Sequence, residues 1–352
     1  MKTVCEVKNP VPRLAWGKFK DSSYCGCVTE LLNATGISIA YEEVMGLSGV
    51  CYQAIMRDDW DPSSQMPQNG LVCEKNVGDA VGISVYSLNE NQEIWKQAKE
   101  SIDNGIPVLL VAGRWAPEWT IACGYEEENG ECKFFGRTYF DSQKYFEEKI
   151  LENQSTNVPE NEIYTDNQYF YFNAFPGWYP ESLTRFYDKK CEPISKKQAL
   201  KISLETCIKM FGQTSNDIHK FGYDAYDVLI QGFELDENEY KAKCKCDQFH
   251  IGSMQDARRA AYIYLSSSAN LLEGENKARL EKAAEIYKKM FDNLTEAIPY
   301  EKTTRVFNVN ITYANPVWDE KERRDLVKAL KENKELEKQV RVIISEIVSS
   351  MD

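Results

Sequence analysis

A cysteine in the first turn of an amphipathic helix is an arrangement that makes a thiol reactive, and residues 21–36, Asp-Ser-Ser-Tyr-Cys-Gly-Cys-Val-Thr-Glu-Leu-Leu-Asn-Ala-Thr-Gly, predict such a helix. Ser22 or Ser23 is placed to cap the free amides, Leu31 and Leu32 supply the apolar side, and Gly36 is a usual stop. Cys25 would sit in the positive end of the helix dipole, which stabilises a thiolate. Ser22, nearer the helix start, is the other candidate nucleophile position and a candidate substrate contact.

Three further groups have residue types that could do chemistry. Asp58, Asp59 and Asp61 surround Trp60 in a polar loop over residues 57–68, and loops of that composition often line a site. Their carboxylates could hold a hard cation, but the spacing lacks the glycine and distal glutamate of a calcium loop. Cys244, Cys246 and His250 form Cys-x-Cys-x3-His, which lacks the fourth ligand of a structural zinc site. Trp16, Trp60, Trp115, Trp119, Tyr139, Phe175, Trp178 and Tyr179 are dense enough to line a pocket for an apolar or aromatic ligand, or to fill a core. No metal and no cofactor is expected.

The elements that must position these residues follow from composition and periodicity. The chain of 352 residues is long enough for two cores, and its 55 acidic against 42 basic residues give a formal net charge of -13. That field opposes a nucleic-acid partner or an anionic membrane. No apolar run approaches the ~18 residues of a membrane span, and the N-terminus has no signal-type core, so a cytoplasmic protein is expected. Eleven scattered cysteines suit reduced thiols better than a disulfide framework.

After the opening helix, residues 41–47 predict a short helix, 49–56 a strand or buried turn, 71–81 a helix, 83–88 a strand and 92–104 a helix. Apolar runs at 107–112, 119–125, 132–140 and 169–175 predict strands, the middle two joined as a hairpin through 126–131. Residues 147–166 are acidic and read as a surface excursion. From about residue 190 the pattern turns helical: 196–211, 224–233, 253–272, 277–297, 319–330 and 334–349, with residues 305–313 the one strand-like stretch. Domains of 1–190 and 191–352 are therefore expected.

The order of a cysteine-bearing helix, then Gly-Ile-Pro-Val-Leu-Leu-Val-Ala-Gly-Arg-Trp, then Glu-Trp-Thr-Ile-Ala-Cys-Gly-Tyr, then Phe-Gly-Arg-Thr-Tyr-Phe-Asp resembles the papain-like fold over residues 10–180. In particular it is similar to the C39-peptidase-like group and to the N-terminal domain of the butirosin-biosynthesis acyltransferase type. The resemblance implies an α+β papain-like cysteine-peptidase-like domain followed by an all-helical domain. It implies Cys25 as nucleophile and Asp141 as orienting residue, while the histidine position falls on Glu118, just before Trp119 and Gly124-Tyr125. The oxyanion glutamine is absent, since residues 14–21 read Leu-Ala-Trp-Gly-Lys-Phe-Lys-Asp.

A carboxylate near its ordinary pKa of ~4.3 is a poor base for a thiol near ~8.5. Two function classes follow: a degenerate papain-like protein that binds a peptide, small molecule or acyl-carrier partner, or an active thiol amide/ester hydrolase or acyltransferase. Ser22, Asp59, Trp60, Arg114, Trp119 and Arg137 are the candidate substrate contacts.

Overall fold

The computed structural model describes residues 3–14, 18–88, 91–111, 119–129, 131–138, 170–172, 184–304 and 318–351. In chain order its first half contains β1 (Thr3–Glu6), α1 (Ser23–Ala34), α2 (Tyr41–Ser48), β2 (Ile55–Met56), α3 (Cys73–Val81), β3 (Ile83–Tyr86), α4 (Asn91–Asp103), β4 (Val108–Val111), β5 (Trp119–Glu128), β6 (Glu131–Thr138) and β7 (Phe170–Phe172). Then come β8 (Phe186–Lys190), α5 (Lys196–Gly212), β9 (Lys220–Phe221), α6 (Tyr223–Phe233), α7 (Glu237–Lys243), α8 (Asp247–Ser268), α9 (Gly274–Ala297), α10 (Tyr300–Thr304) and α11 (Glu320–Ser349). The architecture is α+β, with small antiparallel sheets and a helical C-terminal region.

The chain divides into two compact units, residues 1–44 with 78–194, and 45–77 with 195–352. Residues 45–77 group with the C-terminal helices and not with the residues that flank them in sequence. The reason is polar as well as apolar. Ser203 on α5 donates to the Gly46 carbonyl at 2.7 Å, and Arg258 on α8 donates to the Cys51 and Gln53 carbonyls at 3.2 and 3.1 Å. β2 also pairs with β9, Ile55 opposite Phe221.

In the first unit the long strand β5 organises the sheet. Among the described residues, β4 pairs with its first half (Val111 opposite Trp119) and β1 with its second (Cys5 opposite Tyr125), while β6 runs along its other edge and β7 follows β6. The register slips between Ala122 and Gly124, so Cys123 is an extra residue on β5. The β5–β6 hairpin agrees with the alternation of residues 119–140. β8, by contrast, lies where the periodicity points to a change from strands to helices; it pairs with β3, Ile83 opposite Lys190.

The second unit is a helical assembly. α9 buries Leu280, Ala283, Ala284, Tyr287, Met290 and Leu294 at three- and four-residue steps, and α11 buries Leu326, Leu330, Val340, Ile344 and Ile347. α11 opens on a capping box of Asp319 and Glu322. The two helices expected at 319–330 and 334–349 are one. The polar residues at the expected break continue the helix because Asn333 is buried and its Nδ2 donates to the Met290 carbonyl at 2.9 Å, while its Oδ1 accepts from Asn293 Nδ2. α8 likewise begins at Asp247, six residues before the apolar periodicity suggests. No helix among the described residues is long and apolar enough to cross a membrane, and no cysteine is in a disulfide.

Candidate functional site

The opening helix forms where its sequence places it. Ser22 is extended (φ -77°, ψ 104°) and its Oγ accepts from the Cys25 amide at 3.3 Å, while its own amide donates to the Tyr41 hydroxyl at 3.0 Å. Gly36 follows the helix at φ +90°, in the left-handed region. Ser22 is thus the helix N-cap, with its hydroxyl turned to the first-turn amides.

Cys25 has no exposed surface, and its carbonyl accepts from Thr29 Oγ1 at 2.7 Å. The thiol therefore sits in the first turn, as expected of a thiol helix, but in the protein interior. Its backbone N–H, one of the donors that a partial oxyanion hole would use, is engaged by Ser22.

The same turn abuts the start of β5. Cys27 Sγ donates to the Trp119 carbonyl at 3.2 Å, and the Tyr24 ring meets the Trp119 indole edge-on, centroids 5.5 Å apart. Tyr24 and Tyr187, both buried, bring their hydroxyls to 3.5 Å, and the Arg185 guanidinium lies 6.0 Å from the Trp119 ring. Glu118, Asp141 and Arg114 lie outside the described residues, so the expected acid partners of Cys25 have no described geometry.

Arg137 is 1% exposed and its Nε donates to the Val11 carbonyl at 2.7 Å, tying the N-terminal lead-in to β6. Tyr24, Arg185 and Tyr187 were not singled out by sequence. The signal for the last two was the alternation in Thr-Arg-Phe-Tyr-Asp, residues 184–188, a strand pattern masked by the helical run that follows it.

Asp59 and Trp60 belong to the second unit. Trp60 is 3% exposed, with its ring edge-on to Phe233 at 5.3 Å and to His250 at 5.7 Å, so it is core rather than loop surface. Asp59 is held by Arg57 through bonds of 2.9 and 2.7 Å, and this pairing lowers its carboxyl below the usual range. Asp58 pairs with Lys220 at 3.4 Å and Asp61 accepts from the Ser63 amide at 2.8 Å. The three carboxylates of this loop therefore face separate protein partners.

The Cys-x-Cys-x3-His run is engaged internally as well. His250 Nε2 donates to the Trp60 carbonyl at 3.1 Å, which leaves Nδ1 as the acceptor for Gln65 Nε2 at 3.2 Å. Burial pushes His250 down to about 4 and the Cys244 and Cys246 thiols up to about 12. Both ring nitrogens of His250 are thus engaged within the protein. Among the described residues no group of three or more His, Cys, Asp or Glu is placed to hold a metal ion.

That histidine makes the second unit sensitive to acid. Its folded value lies below the ordinary ~6.5, so below that pH the unfolded chain takes up a proton that the folded chain refuses until about pH 4. Stability present above the ordinary value is lost as pH falls through this window. We expect roughly 2–3 kcal/mol of loss, and His250→Gln to flatten it in urea melts; an unchanged slope in the variant would refute the assignment.

No protein-family model matches the chain, and no curated protein matches it.

Proposed function

We propose that the first unit is a papain-like scaffold that binds a peptide, small molecule or acyl partner at the α1–β5 face without turning it over. One observation carries this reading: the Cys25 thiol is wholly buried while its amide is bonded to the Ser22 hydroxyl. A thiol nucleophile needs access to a carbonyl carbon, a base to take its proton, and free donors for the oxyanion. Burial opposes the first, the capping bond removes one donor, and the residue before Trp119 is a glutamate where the resembling families have histidine. Support for the scaffold itself comes from the adjacency of the α1 first turn and the first residue of β5 through Cys27 and Trp119.

The test is competitive alkylation within one chain. With iodoacetamide at about pH 6.5, Cys25 is expected to react at least about tenfold more slowly than the exposed Cys191, as mapped by peptide mass spectrometry. Stoichiometric modification of Cys25 ahead of Cys191 would replace this reading with an active thiol enzyme.

A further inference from the structure

A strand at the border of a sheet presents a row of unpaired backbone N–H and C=O groups, a template on which another chain can pair. The outer side of β4 is closed, because Arg185 donates to the Leu109 carbonyl at 2.7 Å and its carbonyl accepts from the Leu109 amide at 3.2 Å. β1 is a terminal strand of the same sheet, and among the described residues it pairs with β5 alone. Just past β1, the Val7 amide donates to the Cys123 carbonyl at 2.9 Å. Bonding alternates along an antiparallel ladder, so Thr3 and Cys5 also face β5, whereas Val4 and Glu6 turn their N–H and C=O groups to the open side.

The side chains beside that edge determine what strand it accepts. Val4 and Glu6 are exposed, Cys5 is half-buried and Val7 is buried, so Val4 and Glu6 share the solvent face of the strand. Val4 is 57% exposed and, among the described residues, is the sole exposed large hydrophobic side chain of the first unit. Glu6 is an exposed carboxylate, and among the described residues no lysine or arginine pairs with it. On β5, Glu126 stands opposite Val4, with Lys133 of β6 opposite Glu126 on its far side. The edge therefore offers one apolar contact beside two carboxylates, and the lysine in that row is two strands away. A second copy of β1 would bring its own Glu6 and another net charge of -13 to this edge. A strand with a basic residue facing Glu6 brings the opposite sign.

We propose that the open side of β1 is a docking edge for an extended basic peptide segment, added antiparallel as one more strand of the sheet. In that pairing the residue facing Glu6 lies two positions before the residue facing Val4, on the same face. The segment it takes is thus Lys or Arg, any residue, then Val or Ile. This edge is separate from the α1–β5 face: α1 meets the first residue of β5, whereas β1 pairs with its second half.

The test uses the full chain and the fluorescein-labelled peptide Ser-Thr-Lys-Thr-Val-Thr-Ser, read by anisotropy. Saturable binding is expected, at least about tenfold weaker when glutamate replaces the lysine. N-methylation of the peptide valine removes an N–H that donates to β1 and is expected to weaken binding about tenfold. N-methylation of the threonine between lysine and valine, whose N–H points away from β1, is expected to leave binding unchanged. Glu6→Lys alters an exposed side chain only and is expected to reverse the preference between the lysine and glutamate peptides.

No saturable binding, equal affinity for the two peptides, or equal loss from the two N-methyl groups overturns the proposal. Sedimentation of the chain alone tests the rival occupant. Val4→Pro removes an outward N–H without touching the ladder to β5. A dimer that this variant abolishes would assign the edge to a second copy and also overturn the proposal; a monomer at the concentrations of the titration supports it.

Discussion

Arg258→Met is expected to unfold the helical unit at a temperature roughly 10 °C below the parent, a loss of about 3–5 kcal/mol. Arg258 and Glu337 are both fully buried, and Arg258 Nη2 lies 2.7 Å from Glu337 Oε1. Around them Tyr226 donates to Oε1 at 3.1 Å and Tyr287 to Oε2 at 3.3 Å, and Cys207 Sγ approaches the Tyr287 hydroxyl at 3.4 Å. Burial works to lower the guanidinium and is outweighed by Glu337, so Arg258 is held charged. Removing it leaves a buried carboxylate without its counter-charge and two carbonyls, of Cys51 and Gln53, without their donor.

The pH dependence identifies the group left behind. Burial raises the Glu337 carboxyl above its ordinary value, against the pull first of Arg258 and then of the two tyrosine hydroxyls. Without Arg258 the folded value rises further. A carboxyl raised by folding binds its proton more readily folded than unfolded. The stability it leaves is therefore greatest below the ordinary value and falls as pH climbs through the raised one. The deficit of Arg258→Met is expected to be largest near neutrality and to narrow towards about pH 4.3. Adding Glu337→Leu is expected to recover part of the loss at neutral pH. Urea melts at two pH values check both points; a deficit that grows on acidification would mean that Glu337 is not the uncompensated group.

That network also shows what could and could not be read from the amino acids. Local signals were legible because they act within a few residues: the Ser22 cap, the Gly36 stop, and the apolar periods of α5, α6 and α9, whereas the turn expected over 126–131 is strand at Glu126–Glu128 and at Glu131. Other features are decided by a distant partner. Trp60 looked like a loop aromatic between carboxylates, but Phe233 and His250, some 170 or more positions away, supply a core for it. Residues 45–77 precede the helices by more than 100 positions, and contacts such as those of Arg258, Ser203 and the β2–β9 pair assign them to that unit. At the candidate site Cys25, Ser22 and Trp119 were legible from helix position and strand order. That the Trp119 indole N–H has no acceptor among the described residues was not, since a missing bond has no sequence pattern.

Gly136→Ala is expected to cost the first unit about 3 kcal/mol or more. A Cβ at position 136 would lie 1.8 Å from the Ile121 carbonyl oxygen and 2.9 Å from the Cys123 amide nitrogen. Both are backbone atoms of the neighbouring strand, so no side chain can turn aside to make room. Gly136 pairs with Ala122 where Cys123 is inserted as the extra residue on β5, and the bulge presses that strand's backbone onto β6. Gly36→Ala is the matching control. Gly36 has positive φ but nothing within 4 Å of its Cβ position, so it reports backbone strain alone, about 1 kcal/mol. A Gly136→Ala loss no greater than that of Gly36→Ala would show that the two strands can separate at little cost. The expected loss has a functional consequence, because the bulge separates the half of β5 that contacts α1 from the half that pairs with β1. If β6 must move to admit a methyl group, the strain falls on Ile121, two residues from Trp119. Hydrogen exchange is therefore expected to accelerate at the Thr120 to Tyr125 amides, with a displaced Trp119 indole NMR signal in the same variant. Faster exchange with that signal unmoved would show that the indole is held by Tyr24 and α1 rather than by the register of the sheet.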